Sequence, residues 1–253
     1  MGLALRLSLC GLILGTPLAS TAAACCEAPR RLETAATDDF RHGLVRWRLE
    51  AEDERAVVSA ADGVLDIATP AGLSLWWREP LAGDYAIRFT AVALPAPASA
   101  GPLAGRLSDL NMFWNALEAD GSEPYPRSGR FGGYDTLPTY YLGFGANGNT
   151  TTRLRHYTGS ERRLLTGFAD GSIAEAGERP MTAETRLQAG QSITIEIVSR
   201  QPTPADPVHL RWSVGGNELF TRADPNPRLH GYFALRTTAS RLQIRDFKIL
   251  HCR

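Results

Sequence analysis

Aromatic, carboxamide, arginine and histidine side chains are concentrated in one part of the sequence, residues 107–157. Successive side chains of a β-strand point to opposite faces, so residues two apart share a face. Leu142 and Leu154 require the buried face of their strands, which leaves the polar residues beside them on the open face. The residues predicted to share this open face are Asn111, Tyr141, Arg153 and Arg155.

The chemistry of this face suits carbohydrates, and the expected partner is a polysaccharide, acidic in character. Aromatic faces stack on sugar rings and carboxamides hydrogen-bond sugar hydroxyls. The planar fork of arginine binds carboxylates such as those of uronic acids. We predict that Tyr141 and His156 are catalytic. The predicted substrate-binding residues are Asn111, Arg153, Arg155, Trp77, Asn147, Asn149, Arg130 and Arg236.

Three kinds of function are compatible with these residues. β-Elimination in a uronate-containing glycan needs a base for the proton beside the carboxylate, and cationic or amide groups that stabilise the resulting charge. Tyr141 and His156 supply candidate bases, so a polysaccharide lyase is the favoured hypothesis. A glycoside hydrolase that uses Asp109 and Asp135 is one alternative. A non-catalytic glycan-binding module is the other.

His156 is the weakest member of the predicted site. It lies two residues from Leu154, and strict alternation therefore predicts that it points to the buried face. It reaches a substrate only if a bulge after Arg155 shifts the register, or if the buried face is reversed there.

Other candidates also have a purely structural interpretation. Asn147 and Asn149 are equally typical of a tight turn. Of the neighbouring rings Trp76 and Trp77, one must enter the core of any sandwich. Residues 118–123 match the Glu-x-Asp-x-x-Glu pattern of laminarinase-type glycosidases, but the Asp-Gly-Ser turn inside this match argues against the strand geometry that the pattern needs.

Composition excludes other classes of function. Lys+Arg and Asp+Glu are both 27, so nothing indicates the electrostatic attraction that nucleic-acid binding requires. Zinc spacing, phosphate loops and dinucleotide fingerprints are absent from the sequence. We expect no cofactor, although a structural calcium ion is left open, and we expect a monomer.

The elements that must position these residues are short strands with period-two alternation, as in residues 84–94. Asp62-Gly63 between apolar runs predicts a hairpin. Pro- and Gly-rich stretches predict loops, of which the longest are 117–138 and 159–190. About a dozen strands and no convincing helix predict an all-β fold, a two-sheet antiparallel jelly-roll sandwich formed by residues 38–253 as a single domain.

The N-terminal residues predict export. Residues 1–24 have the charge, apolar core and small-residue cleavage site of a signal peptide, and we expect a secreted or periplasmic protein without a transmembrane segment. Residues 25–37 are predicted to be a linker. Cys252 is expected to form a disulfide with Cys25 or Cys26. Alternatively, Cys25 carries a lipid and does not take part in the disulfide.

Several motifs together resemble a known family. The sequence is similar to a secreted bacterial domain family of the concanavalin A-like lectin/glucanase group, whose members occur beside pectin- and rhamnogalacturonan-degrading enzymes. The resemblance covers residues 38–250, and it implies a concanavalin A-like jelly roll and a glycan context. The motifs are Trp76-Trp-Arg78, Ser108-Asp-Leu-Asn-Met-Phe-Trp114, Arg127-Ser-Gly-Arg-Phe131, Tyr134-Asp135, the stretch from Thr139 to Arg155, and Ile244-Arg-Asp-Phe247.

Overall fold

Strands dominate the computed structural model of the chain, which describes residues 31–225 and 228–252. These residues form one continuous sheet that is antiparallel except for a short parallel pair at one end. The strands are β1 (Leu32–Asp38), β2 (Trp47–Ala51), β3 (Val57–Ala61), β4 (Val64–Trp77), β5 (Tyr85–Leu94), β6 (Leu110–Ala116), β7 (Thr139–Gly145), β8 (Thr151–Tyr157), β9 (Arg162–Ala169), β10 (Arg179–Pro180), β11 (Ser192–Arg200), β12 (Val208–Val214), β13 (Asn217–Asp224) and β14 (Tyr232–Cys252). Short helical turns lie at Ala98–Leu103, Phe131–Tyr134, Ala146–Asn149 and Gly171–Ile173.

The predicted Asp-Gly hairpin joins β3 to β4. Ala61 faces Val64 across the turn, and Asp62 and Gly63 both have positive φ, at 51° and 81°. Two consecutive left-handed residues give the turn the twist that flanking strands require, which is why Asp-Gly is favoured there.

Two long strands divide the sheet into two layers. The first half of β14 pairs with β6 and with the end of β4, and its second half pairs with β5 and with the start of β4. The register shifts between Thr238 and Ser240, where Ala239 has a φ of 44°. One layer therefore contains β6–β10 and the other contains β5 and β11–β13. This is the predicted jelly-roll sandwich.

Aromatic contacts between the layers fill the core. Phe144 of β7 lies 5.1 Å from Trp212 of β12, and Phe168 of β9 lies 5.5 Å from Phe220 of β13, measured between ring centroids. Trp77 is 1% exposed and packs in the same core. The prediction that Trp77 binds sugar is therefore wrong, because no ligand reaches its ring.

A second aromatic cluster lies on the outer face of the first layer, beneath the loop 117–138. Phe113 of β6 is its centre, with Tyr134 at 5.1 Å and Trp76 at 5.7 Å. The buried carboxylate of Glu50 accepts hydrogen bonds from Trp76 Nε1 (3.0 Å), Tyr134 Oη (2.6 Å) and the Arg127 backbone N–H (3.0 Å). The long loop is thus packed against the sheet and covers part of its outer face.

The structure extends the predicted domain and adds a strand to it. Leu32–Asp38 pairs with the end of β14, so most of the predicted linker that lies within the described residues belongs to the sheet. Arg162–Ala169 is a strand, although residues 159–190 were expected to be a loop. The predicted signal peptide, residues 1–24, lies outside the described residues.

The predicted disulfide stays a prediction, as does lipid attachment at Cys25. Leu32 faces Cys252 across the β1–β14 pair, so β1 begins next to Cys252. Cys25 and Cys26 themselves lie outside the described residues.

Close packing of the loop can be tested at Gly129. A Cβ on Gly129 would lie 2.8 Å from both Glu50 O and Glu52 N, and φ is +84°. Gly121 has the same φ but open space around it. Gly121→Ala should cost about 1 kcal/mol for the left-handed conformation alone, and Gly129→Ala about 3 kcal/mol because the backbone must also move apart. Urea unfolding of both variants measures the difference, and equal losses would contradict the close approach.

Candidate functional site

Neighbouring strands align polar residues in rows across the outer face of the first layer. Arg236 of β14 faces Asn111 of β6, which faces Gly143 of β7, which in turn faces Arg153 of β8. In the next row, Phe113 faces Tyr141, and Tyr141 faces Arg155. Directly opposed residues share a face, so the residues expected on one open face do share it.

A cavity of about 520 Å³ lies over these rows. A volume in the range of 300–1,000 Å³ is typical of sites for small ligands. Of the predicted site residues, the cavity is lined by Tyr141, Asn111, Arg155, Arg236 and Asn147. The other lining residues are Arg106, Asp109, Phe131, Ala146, Thr151, Tyr157, Arg162, Glu175 and Thr238.

Arg236 is the central cation of the cavity. It is 2% exposed, and its guanidinium lies over the rings of Phe131 and Tyr134, at 4.7 and 5.5 Å from their centroids. One of its terminal nitrogens donates to the carbonyls of Gly129 and Thr237, both at 3.3 Å, and its Nε has no hydrogen-bond partner. Among the described residues, no carboxylate forms an ion pair with it.

Asp109 lies near Arg236 but is bound by other groups. It pairs with Arg106, accepts a hydrogen bond from Ser108 Oγ at 2.8 Å, and accepts a longer one from Asn111 Nδ2 at 3.3 Å. Burial raises the pKa of Asp109, and the charge of Arg106 opposes that rise. The amide oxygen of Asn111 has no hydrogen-bond partner within the described structure.

Two tyrosines form an aromatic wall of the cavity. The ring of Tyr141 lies 5.0 Å from Phe113, 5.5 Å from Phe131 and 5.5 Å from Tyr157. Burial raises the pKa of Tyr141, while Arg236 and Arg155 oppose the rise. Burial also raises the pKa of Tyr157 to about 12, and its hydroxyl has no hydrogen-bond partner. Both phenols are therefore protonated at neutral pH and can donate to a ligand.

Arg153 has a structural role in the fold and does not line the cavity. Its Nε and one terminal nitrogen each lie 2.7 Å from a different oxygen of Glu178, whose side chain is fully shielded from solvent. It also donates to the carbonyl of Ile173 at 2.7 Å. The guanidinium holds the segment 170–178 against the sheet, which corrects its expected role as a free substrate ligand.

Arg155 remains at the cavity wall. Its terminal nitrogen lies 3.4 Å from Glu175, a half-exposed carboxylate on the same segment 170–178. An exposed contact of this length is weak, so the cation remains able to interact with a ligand.

His156 points to the opposite face, toward the core side of the layer. Its ring lies 4.8 Å from that of Tyr140, and its Nδ1 lies 3.4 Å from Asp224 Oδ2. Burial lowers the pKa of His156. The pairing of β8 with β9 does shift between Leu154 and Arg155, but the extra residue is on β9, because Leu154 faces Thr166 and Arg155 faces Leu164. The alternation of β8 is unchanged. His156 does not line the cavity, so the prediction that it acts on the same substrate as Tyr141 is wrong.

The remaining predicted residues have different positions. Asn147 lines the cavity and donates to Thr151 Oγ1 at 3.2 Å. The side chain of Asn149 donates from Nδ2 to the Leu187 carbonyl and accepts at Oδ1 from the Leu187 N–H, both at 2.9 Å, and it does not line the cavity. Arg130 is exposed and also does not line it. Only the first of these three fits the predicted binding role.

Among the lining residues that were not predicted are Arg106, Phe131, Arg162 and Glu175. The guanidinium of Arg162 lies 4.2 Å from the Phe131 ring centroid and pairs with Asp135. Asp135 itself does not line the cavity, which weakens the hydrolase alternative that pairs it with Asp109. These residues belong to segments expected to be loops, where strand alternation gives no signal.

The described residues contain no group of three or more His, Cys, Asp or Glu side chains arranged to hold a metal ion. None of their helices is long and apolar enough to cross a membrane. Structural calcium and the monomeric state stay expectations.

The fold and the cavity define a lectin-like, concanavalin A-like β-sandwich with a polar site on its outer face. The chain belongs to the family described as Domain of unknown function (DUF6250), whose sequence model matches residues 67–247. A search of curated proteins found no match.

Solved structures with this fold include proteins described by their carbohydrate recognition. A Bacillus subtilis protein of unknown function with a galectin-like fold is similar with a TM-score of 0.65 and 13% identity, over 88% of this chain and 98% of that one. The potassium-bound carbohydrate recognition domain of Emp46p gives 0.52 and 13%, over 85% and 93%. Peanut lectin gives 0.52 and 9%, over 88% and 99%. At these identities the similarity establishes the fold alone.

The structural role of Arg153 predicts a stability effect. Arg153→Ala leaves the shielded carboxylate of Glu178 without its bidentate partner, and we expect a loss of about 3 kcal/mol in the free energy of unfolding. Arg155→Ala is the matched control on the same strand and should cost under about 1 kcal/mol, because its carboxylate contact is exposed. Urea denaturation compares them, and similar losses for the two variants would refute the assignment.

Proposed function

We propose that this protein binds an acidic glycan and that its cavity receives the carboxylate of a uronic acid. The observation that carries the proposal is Arg236: a buried guanidinium faces the cavity, and none of the described carboxylates forms an ion pair with it. A buried charge without a counter-ion is costly. An incoming carboxylate would supply the missing charge and accept hydrogen bonds from a planar donor.

The charges around Arg236 support an anionic ligand. The lining side chains include four arginines, against two carboxylates, Asp109 and Glu175. Asp109 is held by Arg106, and Glu175 lies at the rim beside Arg155. Arg162 pairs with Asp135 outside the cavity, so the excess positive charge is that of Arg236. It attracts acidic sugars and disfavours neutral ones relative to them.

The neutral groups in the cavity suit the rest of a sugar ring. The free amide oxygen of Asn111 can accept a hydrogen bond from a sugar hydroxyl, and the free hydroxyl of Tyr157 can donate one. The half-buried ring of Phe131 provides an apolar surface between the guanidinium groups of Arg162 and Arg236. A ligand with one carboxylate and several hydroxyls would satisfy groups that are now unpartnered.

Removal of the central cation tests this proposal. Arg236→Gln should weaken binding of uronate oligosaccharides at least tenfold in Kd, because a charge-assisted, water-excluded contact is lost. Binding of the same oligosaccharides after methyl esterification should be weak in both proteins. Isothermal titration calorimetry gives the affinities and thermal melting checks the fold.

Arg130→Gln is the matched control, since it removes an exposed arginine outside the cavity. If Arg130→Gln weakens binding as much as Arg236→Gln does, binding is a general surface effect and the proposed site is wrong. If no uronate oligosaccharide binds the intact protein, the proposed function itself fails.

The second candidate is a lyase reaction in the same cavity. It is motivated by the position of Tyr141 in the cavity wall together with Arg155 and Arg236, whose charges partly oppose the burial that raises the pKa of its hydroxyl. With the uronate carboxylate on Arg236, Tyr141 as phenolate would remove the proton on the adjacent carbon. The bond to the leaving oxygen then breaks, a carbon–carbon double bond forms, and the phenol returns its proton to the leaving oxygen. The products are an unsaturated uronate and a new chain end.

Tyr141→Phe tests the reaction apart from binding. The variant should form no unsaturated product, measured by its ultraviolet absorbance, while the Kd for uronate oligosaccharides changes less than about fivefold, because one neutral hydrogen bond contributes about 1 kcal/mol or less. In the intact protein the rate should rise with pH above neutrality, because burial raises the pKa of Tyr141 and the phenolate becomes more populated only at alkaline pH.

Tyr125→Phe is the control for loss of a tyrosine hydroxyl, since Tyr125 is exposed and outside the cavity. Full activity of Tyr141→Phe would contradict the assigned role. Binding without any product, in the intact protein and across several uronate polymers, would exclude the lyase and leave the glycan-binding function in place.

A further inference from the structure

We infer that Arg155 forms a second carboxylate site in the cavity, so that the ligand presents two neighbouring uronates rather than one uronate among neutral sugars. This inference rests on the proposed function and specifies its substrate class. The first carboxylate is the one assigned to Arg236. The second takes the place that the side chain of Glu175 occupies beside Arg155 in this structure.

Among the described residues, two arginine–carboxylate pairs have both members in the cavity lining, and they differ in how firmly the carboxylate is held. Asp109 is buried, pairs with Arg106 and accepts two further hydrogen bonds from side chains. The side chain of Glu175 is 51% exposed, and its contact with Arg155 is 3.4 Å long. The first pair is a fixed part of the wall, whereas the second can open.

The backbone of Glu175 is fixed independently of its side chain. Its N–H donates to Glu178 Oε2 at 2.7 Å, and its carbonyl accepts from the Glu178 N–H at 3.1 Å. Glu178 is in turn held by Arg153. The segment 170–178 therefore keeps its place while the side chain of Glu175 rotates into solvent. An exposed ion pair of this kind contributes little stability, so its loss is readily offset by a ligand.

The place beside Arg155 suits a carboxylate, because one is already bound there. Glu175 Oε1 lies 3.4 Å from Arg155 and 3.2 Å from Arg153. Arg153 has a bidentate partner in Glu178, so Arg155 is the cation that loses its counter-ion when Glu175 moves away. A uronate carboxylate restores this balance with a planar acceptor of the same chemistry.

The cations Arg155 and Arg236 act on the same part of the cavity. Strand β7, which carries Tyr141, lies between β8 with Arg155 and β14 with Arg236. Burial raises the pKa of Tyr141 and of Tyr157, and the charges of Arg236 and Arg155 oppose that rise in both. A ligand at these two hydroxyls is therefore within range of both cations. Neighbouring units of a uronate polymer carry one carboxylate each, which matches two cations based on opposite sides of Tyr141.

Disaccharides with two carboxylates or one test the inference. The probes are digalacturonate and dimannuronate, each compared with the two forms in which one carboxylate is reduced to an alcohol. The intact protein should bind a two-carboxylate form at least about fivefold more tightly than the better of its single-carboxylate forms, because a charge-assisted contact is gained. Isothermal titration calorimetry measures each Kd.

Variants of the pair should change this preference in opposite directions. Arg155→Gln should bring the affinity for the two-carboxylate form down to that for the single-carboxylate forms, whose own Kd changes less than about twofold. Glu175→Gln removes the competing carboxylate and should tighten the two-carboxylate form at least about threefold more than the single-carboxylate forms. Thermal melting checks that both variants are folded.

The pair Arg163 and Glu161 supplies matched controls, since both residues are exposed, pair with each other and do not line the cavity. Arg163→Gln and Glu161→Gln should leave the preference unchanged. A preference that survives Arg155→Gln would overturn the second site. Equal tightening of all forms by Glu175→Gln would overturn it too, because Glu175 would then act only through the overall charge of the cavity.

Failure of the second site is distinguishable from failure of the proposed function. If the intact protein binds two-carboxylate and single-carboxylate forms equally, and Arg236→Gln weakens both, the second site is wrong and the glycan-binding function stands. If no form binds in an Arg236-dependent way, the proposed function fails as well.

Discussion

The buried carboxylate of Glu50 fixes the shape of the outer face. It joins the sheet to the loop 117–138, because its donors are the Trp76 indole on the sheet and Tyr134 and the Arg127 backbone on the loop. A buried carboxylate needs several donors at once, and a fully satisfied network of this kind is rigid. With the loop held down, the outer face is no longer an open groove but a cavity with Arg236 at its base.

Two arginines at the ends of one row of the sheet, with Asn111 and Gly143 between them, show that contacts from distant segments of the chain determine the role of a side chain. Arg236 and Arg153 lie in one row of the sheet and point to the same side. Arg153 is neutralised by Glu178 from a segment 25 residues away in the chain, whereas the loop near Arg236 brings carbonyls and rings but no carboxylate. One cation is therefore used to hold the fold, and the other is left to attract a ligand.

Strand alternation predicted the layers and the shared face correctly, because burial of Leu142 and Leu154 leaves no other choice for their neighbours. The same rule, taken strictly, also placed His156 on the core side. It could not identify which of Trp76 and Trp77 is accessible to a ligand, since both rings are buried. Trp77 lies in the core between the layers, and Trp76 lies in the aromatic cluster on the outer face. It gave no information on Phe131, Arg162 or Glu175, whose positions depend on loops and on an unexpected strand. The partners of each arginine are long-range contacts, and local pattern does not encode them.

The path of β14 has a consequence for how the molecule assembles. This C-terminal strand pairs with β1, β4, β5 and β6, so it is the neighbour that both layers require. During synthesis, neither layer can form completely until β14, a strand of 21 residues, has been made. Pairings that span almost the whole chain form slowly, since the chain entropy is lost before the contacts are gained. Until then the edges of β4, β5 and β6 that β14 occupies in the fold are unpaired. In this interval the chain is most exposed to aggregation.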